Sequence, residues 1–320
     1  MQFQPQGKQA VGICFDSDLG NTIDDALTLA MLFGLQGKTE DRVISVSTTK
    51  NSLEAAIFSD ILVRFYTGVP EQATGFGGGA MSIGLTLSGK MAASNPMIEA
   101  VVPDKKYNRG ISKMNETADP VAVIRNALSS QQDQNAIVVL TGPAVNLAAM
   151  LKLPMCVQFI TKKVQKLVIG ADAATLSDIP ALRAVLADWP TPIAVAGAEI
   201  GEAIPFPGAS IAKDFSWSDA HPLVAAYQAS HPSPSDAPAT AMAAGLYAVR
   251  PQENYFKVSA PGTLTVGDDG KLKHTPGNGK HTTLVLDPSQ KERIQQAYVE
   301  LASTKPVPRA QRQRPPQKKQ

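Results

Sequence analysis

Residues 11–35, VGICFDSDLGNTIDDALTLAMLFGL, decide how the chain is read. The short apolar run at 11–15 predicts a buried strand. It ends in Asp16, Ser17 and Asp18, and Gly20 and Asn21 then turn the chain. Residues 23–35 follow as an Ala- and Leu-rich apolar helix that opens on Asp24 and Asp25. Four carboxylates so close together repel one another if all are ionised and buried, so the cluster demands a cation or a proton.

Three chemistries suit such a cluster. Acidic residues at a helix start answer the free N–H groups and the dipole, which accounts for Asp24 and Asp25 but not for Asp16 and Asp18. An aspartyl phosphatase also carries D-x-D after its first strand, but without an Asp pair opening the next helix. A hard divalent cation held by carboxylates and backbone carbonyls is the third, and it suits calcium.

Working outward, residues 42–49 (RVISVSTT) predict a second strand that ends at Lys50 and Asn51, and residues 53–66 predict a helix. Strand, polar turn and helix repeat in the same order, which argues for an α/β fold with a mostly parallel sheet flanked by helices. Ligands bind such sheets at the carboxyl ends of the strands, where Asp18 and Asn51 fall. Residues 74–113, rich in Gly, Ser and Met, are expected to be a loop-rich excursion near the site mouth. Residues 120–128 read as a helix, and 136–140 (AIVVL) as a strand running into Thr141-Gly142-Pro143 and a further helix. Strands are expected at 164–170 and 192–197, with helices at 179–187, 222–229 and 240–249. Residues 255–266, 271–273 and 282–286 form a β-rich late excursion around the turn Asp268-Asp269-Gly270. A helix over 288–303 closes a single domain at 1–305, and the Pro-, Gln- and Arg-rich residues 306–320 are expected to be a disordered tail.

Composition narrows the function. The 320 residues carry 30 Lys and Arg against 28 Asp and Glu, a net charge of +2, so nothing points to nucleic acid. Cys14 and Cys156 read as reduced core residues, and His221, His231, His274 and His281 as surface or loop side chains. No stretch predicts a membrane span and the polar start lacks a signal-peptide core, so the cytoplasm is the expected compartment, or the periplasm or exterior if a leader is missing.

The Asp cluster, the second strand and the Thr-Gly-Pro turn together resemble the inosine–uridine-preferring nucleoside hydrolase family. Its members open with D-x-D-x-G-x-D-D, and a bacterial branch has the longer G-N-x-x-D-D form found here at Gly20–Asp25. The family's T-G-P-x-x-N matches Thr141-Gly142-Pro143-Ala144-Val145-Asn146, and the Asn after its second strand matches Asn51. Trp189-Pro190-Thr191-Pro192-Ile193, Glu199-Ile200-Gly201 and Leu246-Tyr247-Ala248-Val249-Arg250-Pro251 are also similar to the bacterial branch. The similarity spans residues 11–309.

The resemblance implies hydrolysis of the N-glycosidic bond of a ribonucleoside by water activated on calcium. It implies Asp18 as the catalytic base and a metal ligand, Asp25 as a second ligand, and Thr141 as a ligand through its backbone carbonyl, its side chain mattering little. Asp24 and Asn51 would hold ribose hydroxyls, with Asp16 supporting the cluster, in a homodimer or homotetramer. Two departures stand out. The segment after the strand at 164–170 reads ADAATLSD and lacks the family's Glu and Asn, with Asp172 or Ser177 as substitutes. The Asp ligand expected five residues before Leu246 is Ala241. The rival implication is therefore a non-catalytic homologue that binds a ribosyl ligand or calcium.

Overall fold

The chain begins its sheet from the middle. The computed structural model describes residues 9–69, 80–232 and 234–306. In order they form β1 (Val11–Ser17), α1 (Ile23–Gly37), β2 (Asp41–Thr48), α2 (Leu53–Thr67), β3 (Ile83–Leu85), α3 (Pro96–Val101), α4 (Pro120–Ser129), β4 (Ala136–Thr141) and α5 (Val145–Leu151). Next come α6 (Cys156–Lys163), β5 (Val164–Ala171), α7 (Ile179–Asp188), β6 (Ile193–Gly197), α8 (Ala198–Ala203), α9 (Ala209–Asp214) and α10 (Pro222–Ser230). The last are α11 (Thr240–Val249), β7 (Lys257–Val258), β8 (Gly262–Val266), β9 (Leu272–Pro276), β10 (His281–Val285) and α12 (Lys291–Ala302).

The strands lie in the order β3-β2-β1-β4-β5-β6-β10-β8-β9, with β7 paired to β10. Pairing is parallel from β3 to β10 and antiparallel beyond it. This is the expected α/β architecture with a mostly parallel sheet. Parallel sheets are covered on both faces, so their strands are continuously apolar, and all six residues of β4 are buried. The core accordingly splits into two apolar layers: one packs α1, α2, α10, α11 and α12 on the sheet, the other α4 to α7.

Helix α1 is buried on every side from Ile23 to Leu35, as a helix apolar all round must be. α11 and α12 supply much of its cover. The crossing with α12 is close: a Cβ on Gly34 would lie 2.0 Å from the carbonyl oxygen of Leu301, so only glycine fits.

Several sequence expectations are corrected. The loop-rich 74–113 stretch, whose residues 74–79 lie outside the described residues, also holds the short β3 and α3. Helices α6, α8 and α9 had no clear sequence signal. The late β-rich part does not merely pack on the sheet: β10 adds to it, parallel to β6. His221 is not a surface side chain but 4% exposed, ringed by Phe65, Tyr66, Phe215 and Trp217. The polar start (1–8) and, apart from Pro306, the expected tail lie outside the described residues. No helix among the described residues is long and apolar enough to cross a membrane.

Candidate active site

Strand order reverses direction between β1 and β4, the chain running outward through β2 and β3 on one side and β5 and β6 on the other. A crevice opens at the carboxyl ends of strands at such a switch. The register sets Ser17 of β1 level with Thr48 of β2 and Thr141 of β4, so the polar residues ending three strands meet there.

Alternation along β1 sends neighbouring side chains to opposite faces. Asp16 goes to the α5 face, where Oδ1 accepts from Ser47 Oγ at 2.6 Å and Asn146 Nδ2 at 2.8 Å. Its Oδ2 is buried with no partner. Ser17 goes to the α1 face and donates to Oδ1 of Asp25 at 2.9 Å. That carboxyl also accepts from Thr141 Oγ1 at 2.6 Å and, on Oδ2, from Thr22 Oγ1 at 3.0 Å. The side chain of Thr141 thus matters, contrary to the sequence expectation. Both oxygens of Asp24 receive backbone N–H groups opening α11, from Ala241 at 2.6 Å and Met242 at 3.1 Å. Position 241, where the resemblance calls for an Asp, is therefore beside the cluster and presents a methyl group.

Asp18 lies at the crevice mouth, 6% exposed. Close by is Thr49, whose hydroxyl is buried and unpartnered. A Cβ on Gly142 would fall 2.3 Å from Thr49 Oγ1 and 2.8 Å from the Asp18 Cβ, so the Thr-Gly-Pro turn needs its glycine to pass between them. Asn51 is held by the loop after β3: its Nδ2 donates to the carbonyls of Leu87 at 3.3 Å and Gly89 at 3.1 Å.

A fifth carboxylate joins the group. Asp172 follows β5 in a turn fixed by Thr175, whose N–H donates to Asp172 Oδ1 at 2.9 Å and whose hydroxyl donates to the Gly170 carbonyl at 2.7 Å. Its charge acts on Asp18, Asp24 and Asp25 alike. Sequence had offered Asp172 only as a substitute for missing sugar contacts. Ser17, Thr22 and Ser47, the hydroxyl donors to the cluster, went unnoticed; the sole signal was their place beside Asp residues or at strand ends.

Electrostatics follow from burial. Desolvation pushes Asp16 up to about 6 despite its two donors. It pushes Asp18 to about 6 against the pull of Lys50, and Asp24 to about 7 against the α11 amides. Asp25, 1% exposed, is raised well above the usual carboxylate range by burial and then by the charges of Asp172, Asp24 and Asp18. Burial thus favours the protonated forms of these carboxyls, and hydroxyl and amide donors favour the ionised ones.

Calcium fits this donor set poorly. The ion takes roughly six to eight oxygens, whereas Asp25 already accepts three hydroxyls and Ala241 offers no oxygen from its side chain. Among the described residues no three His, Cys, Asp or Glu side chains converge as a metal's ligands would.

No family model and no curated relative matches the chain. Solved structures do. The purine-preferring ribonucleoside hydrolase from Gardnerella vaginalis matches with a TM-score of 0.66 at 16% identity, over 91% of this chain and 98% of that one. A plant nucleoside hydrolase, the PpNRh1 enzyme, matches with a TM-score of 0.64 at 19% identity, over 92% and 99%. The type III effector protein XopQ, solved with adenosine diphosphate ribose, matches with a TM-score of 0.63 at 12% identity, over 93% and 94%. Similarity at this level concerns the fold, and in fold the chain is nucleoside hydrolase-like.

Proposed function

We propose that the chain seats the ribosyl unit of a nucleoside in the acidic crevice and cleaves its N-glycosidic bond with a water activated by Asp18. The observation that carries this reading is Asp18 itself: a carboxyl at the crevice mouth, raised to about 6, beside an unpartnered buried hydroxyl on Thr49. A base with a pKa just below neutrality is mostly ionised at pH 7 yet still takes a proton readily. Departure of the base leaves an oxocarbenium-like sugar, which the surrounding carboxyl groups stabilise. Asp24, fixed by the α11 amides, would meet a ribose hydroxyl, and Asn51, its amide nitrogen occupied, would offer Oδ1. The fold neighbours described as nucleoside hydrolases support the substrate class, as does the ADP-ribose bound by XopQ.

The calcium that the resemblance implies would draw on Asp18, Asp25 and the Thr141 carbonyl. Because that set does not fit the ion, water activation is assigned to Asp18 alone. A second reading, a ribosyl-binding module without turnover, is favoured by the methyl group at 241. The two separate in one experiment: incubate the protein with inosine, adenosine, uridine and cytidine, with added calcium or with chelator, and measure free ribose. Release that persists in chelator and is lost in Asp18→Asn supports the hydrolase. Nucleoside binding by calorimetry without release establishes the module, and neither binding nor release overturns both.

A further inference from the structure

The crevice is crowded with one sign of charge. Asp16, Asp18, Asp24 and Asp25 meet there, and the charge of Asp172 reaches the last three. Against them stands Lys50, which acts on Asp18 while its Nζ donates to the Gly20 carbonyl at 3.3 Å. Calcium does not answer this imbalance, because its donor set is broken at Ala241 and Asp25 is filled by hydroxyls. Two polar atoms in the crevice still await a partner. They are Oδ2 of the fully buried Asp16 and the hydroxyl of Thr49, which is 5% exposed and beside Asp18. A cleft lined by one sign of charge draws in a ligand of the other.

The same groups are not arranged to protonate a departing base. Asp24 accepts backbone N–H groups on both oxygens, Asp25 accepts three hydroxyls, and Asp16 accepts from Ser47 and Asn146. Bonds of this kind favour the ionised carboxylate over the acid. Among the described residues no histidine bonds to the cluster. His221 is caged by aromatic rings, and His231 pairs with Ser230. His274 meets the carbonyl of His281, which opens β10 opposite Ile193, at the end of the sheet away from the crevice. A neutral base leaves as an anion unless an acid protonates it, whereas a base that is already positive leaves as a neutral ring.

Resting on the ribosyl-binding reading above, we propose that the preferred substrate is a nucleoside whose base is a cationic nitrogen heterocycle. The substrate itself then brings the positive charge that the carboxyl cluster calls for, and Asp172 adds to the selection. In the reaction the bond from the anomeric carbon to nitrogen breaks with its electron pair going to nitrogen. That pair cancels the charge of the ring, which departs neutral. The water oxygen bonds to the anomeric carbon and Asp18 takes the water's proton. Substrate and water thus balance ribose, neutral heterocycle and one proton, and no acid is consumed.

The test is calorimetry with two probes that resist hydrolysis and share one ring shape. Carbocyclic nicotinamide riboside is a permanent cation, and the corresponding carbocyclic benzamide is neutral. Wild type should bind the cation at least roughly tenfold more tightly. Asp172→Asn keeps the oxygen that accepts from the Thr175 N–H but drops the charge, and should narrow that ratio. Lys50→Met removes the opposing charge and should widen it. Equal affinity for the two probes, or a ratio that neither variant moves, overturns the cation preference, while binding of both leaves the ribosyl crevice standing. Binding of neither overturns both readings. Should Asp172→Asn fail to fold, Lys50→Met carries the comparison. Ribose released from nicotinamide riboside by wild type and not by Asp18→Asn supports the hydrolytic step, and cation-selective binding without release overturns it.

Discussion

The backbone N–H of Ala241 lies 2.6 Å from Oδ2 of Asp24, across 217 residues of sequence. The residue that breaks most sharply with the nucleoside hydrolase pattern is thus in direct contact with the motif that defines it. Ala241→Asp should place a carboxylate against Asp24 and Asp25 and so make up the donor set for calcium. The expected outcome is a calcium-dependent rise in melting temperature, absent in wild type, and a lower melting temperature than wild type in chelator. A variant indifferent to calcium would place the 241 side chain outside the cluster.

Asp18 sets the pH dependence of any turnover. The ionised form is the base, so ribose release should climb as pH rises through about 6 and level off above it. Asp18→Asn should lose release with its fold intact. A rate flat across that interval would remove Asp18 from the base's role.

Thr141 holds Asp25 through its hydroxyl at 2.6 Å, in a fully buried setting. Thr141→Val should cost about 1–3 kcal/mol in urea denaturation by taking a donor from a buried carboxyl. Thr141→Ser should recover most of the loss. Equal stability of the Val and Ser variants would contradict the bond.

His221 is buried among aromatic rings with neither ring nitrogen hydrogen-bonded. Burial lowers it from 6.5 to about 4, so the folded state holds fewer protons than the unfolded one between those values. Its neutral form imposes no pH penalty above 6.5, and stability then falls as pH drops toward about 4. His221→Phe should flatten that fall, by on the order of 2–3 kcal/mol at the acid end. Parallel stability–pH curves for the two proteins would refute the assignment.

Asp41 shows the opposite sign. Both of its oxygens are buried without a partner, and burial raises its pKa well above 3.8. The folded state binds the proton more tightly, so stability is highest below 3.8 and declines as pH rises through the folded value. Asp41→Asn should therefore stabilise the protein at neutral pH, by about 1–3 kcal/mol, and the gain should vanish in acid.

Much of this was legible in the sequence because strand, turn and helix signals are local. The run 11–35 gave β1, the turn and the wholly apolar α1, and the repeat of that order at 42–66 gave the parallel sheet. The Asp cluster and Thr141 were legible for the same reason, lying at strand ends. What escaped depends on contacts distant in sequence. Nothing near Ala241 says that its N–H meets Asp24, and nothing near Asn51 says that its amide is taken up by the loop at 87–89. His221 looked exposed because its aromatic shell comes from α2 and from the segment after α9.

The tight crossing of Gly34 and Leu301 has a consequence for synthesis. Helix α1 is buried on every side, yet α11 and α12, which cover it, are translated about 200 residues after it. Until they emerge, the nascent chain carries an uncovered greasy cylinder, and non-local closure of this kind is slow. A ribosome-bound chaperone that shields residues 23–35 is the helper this topology calls for.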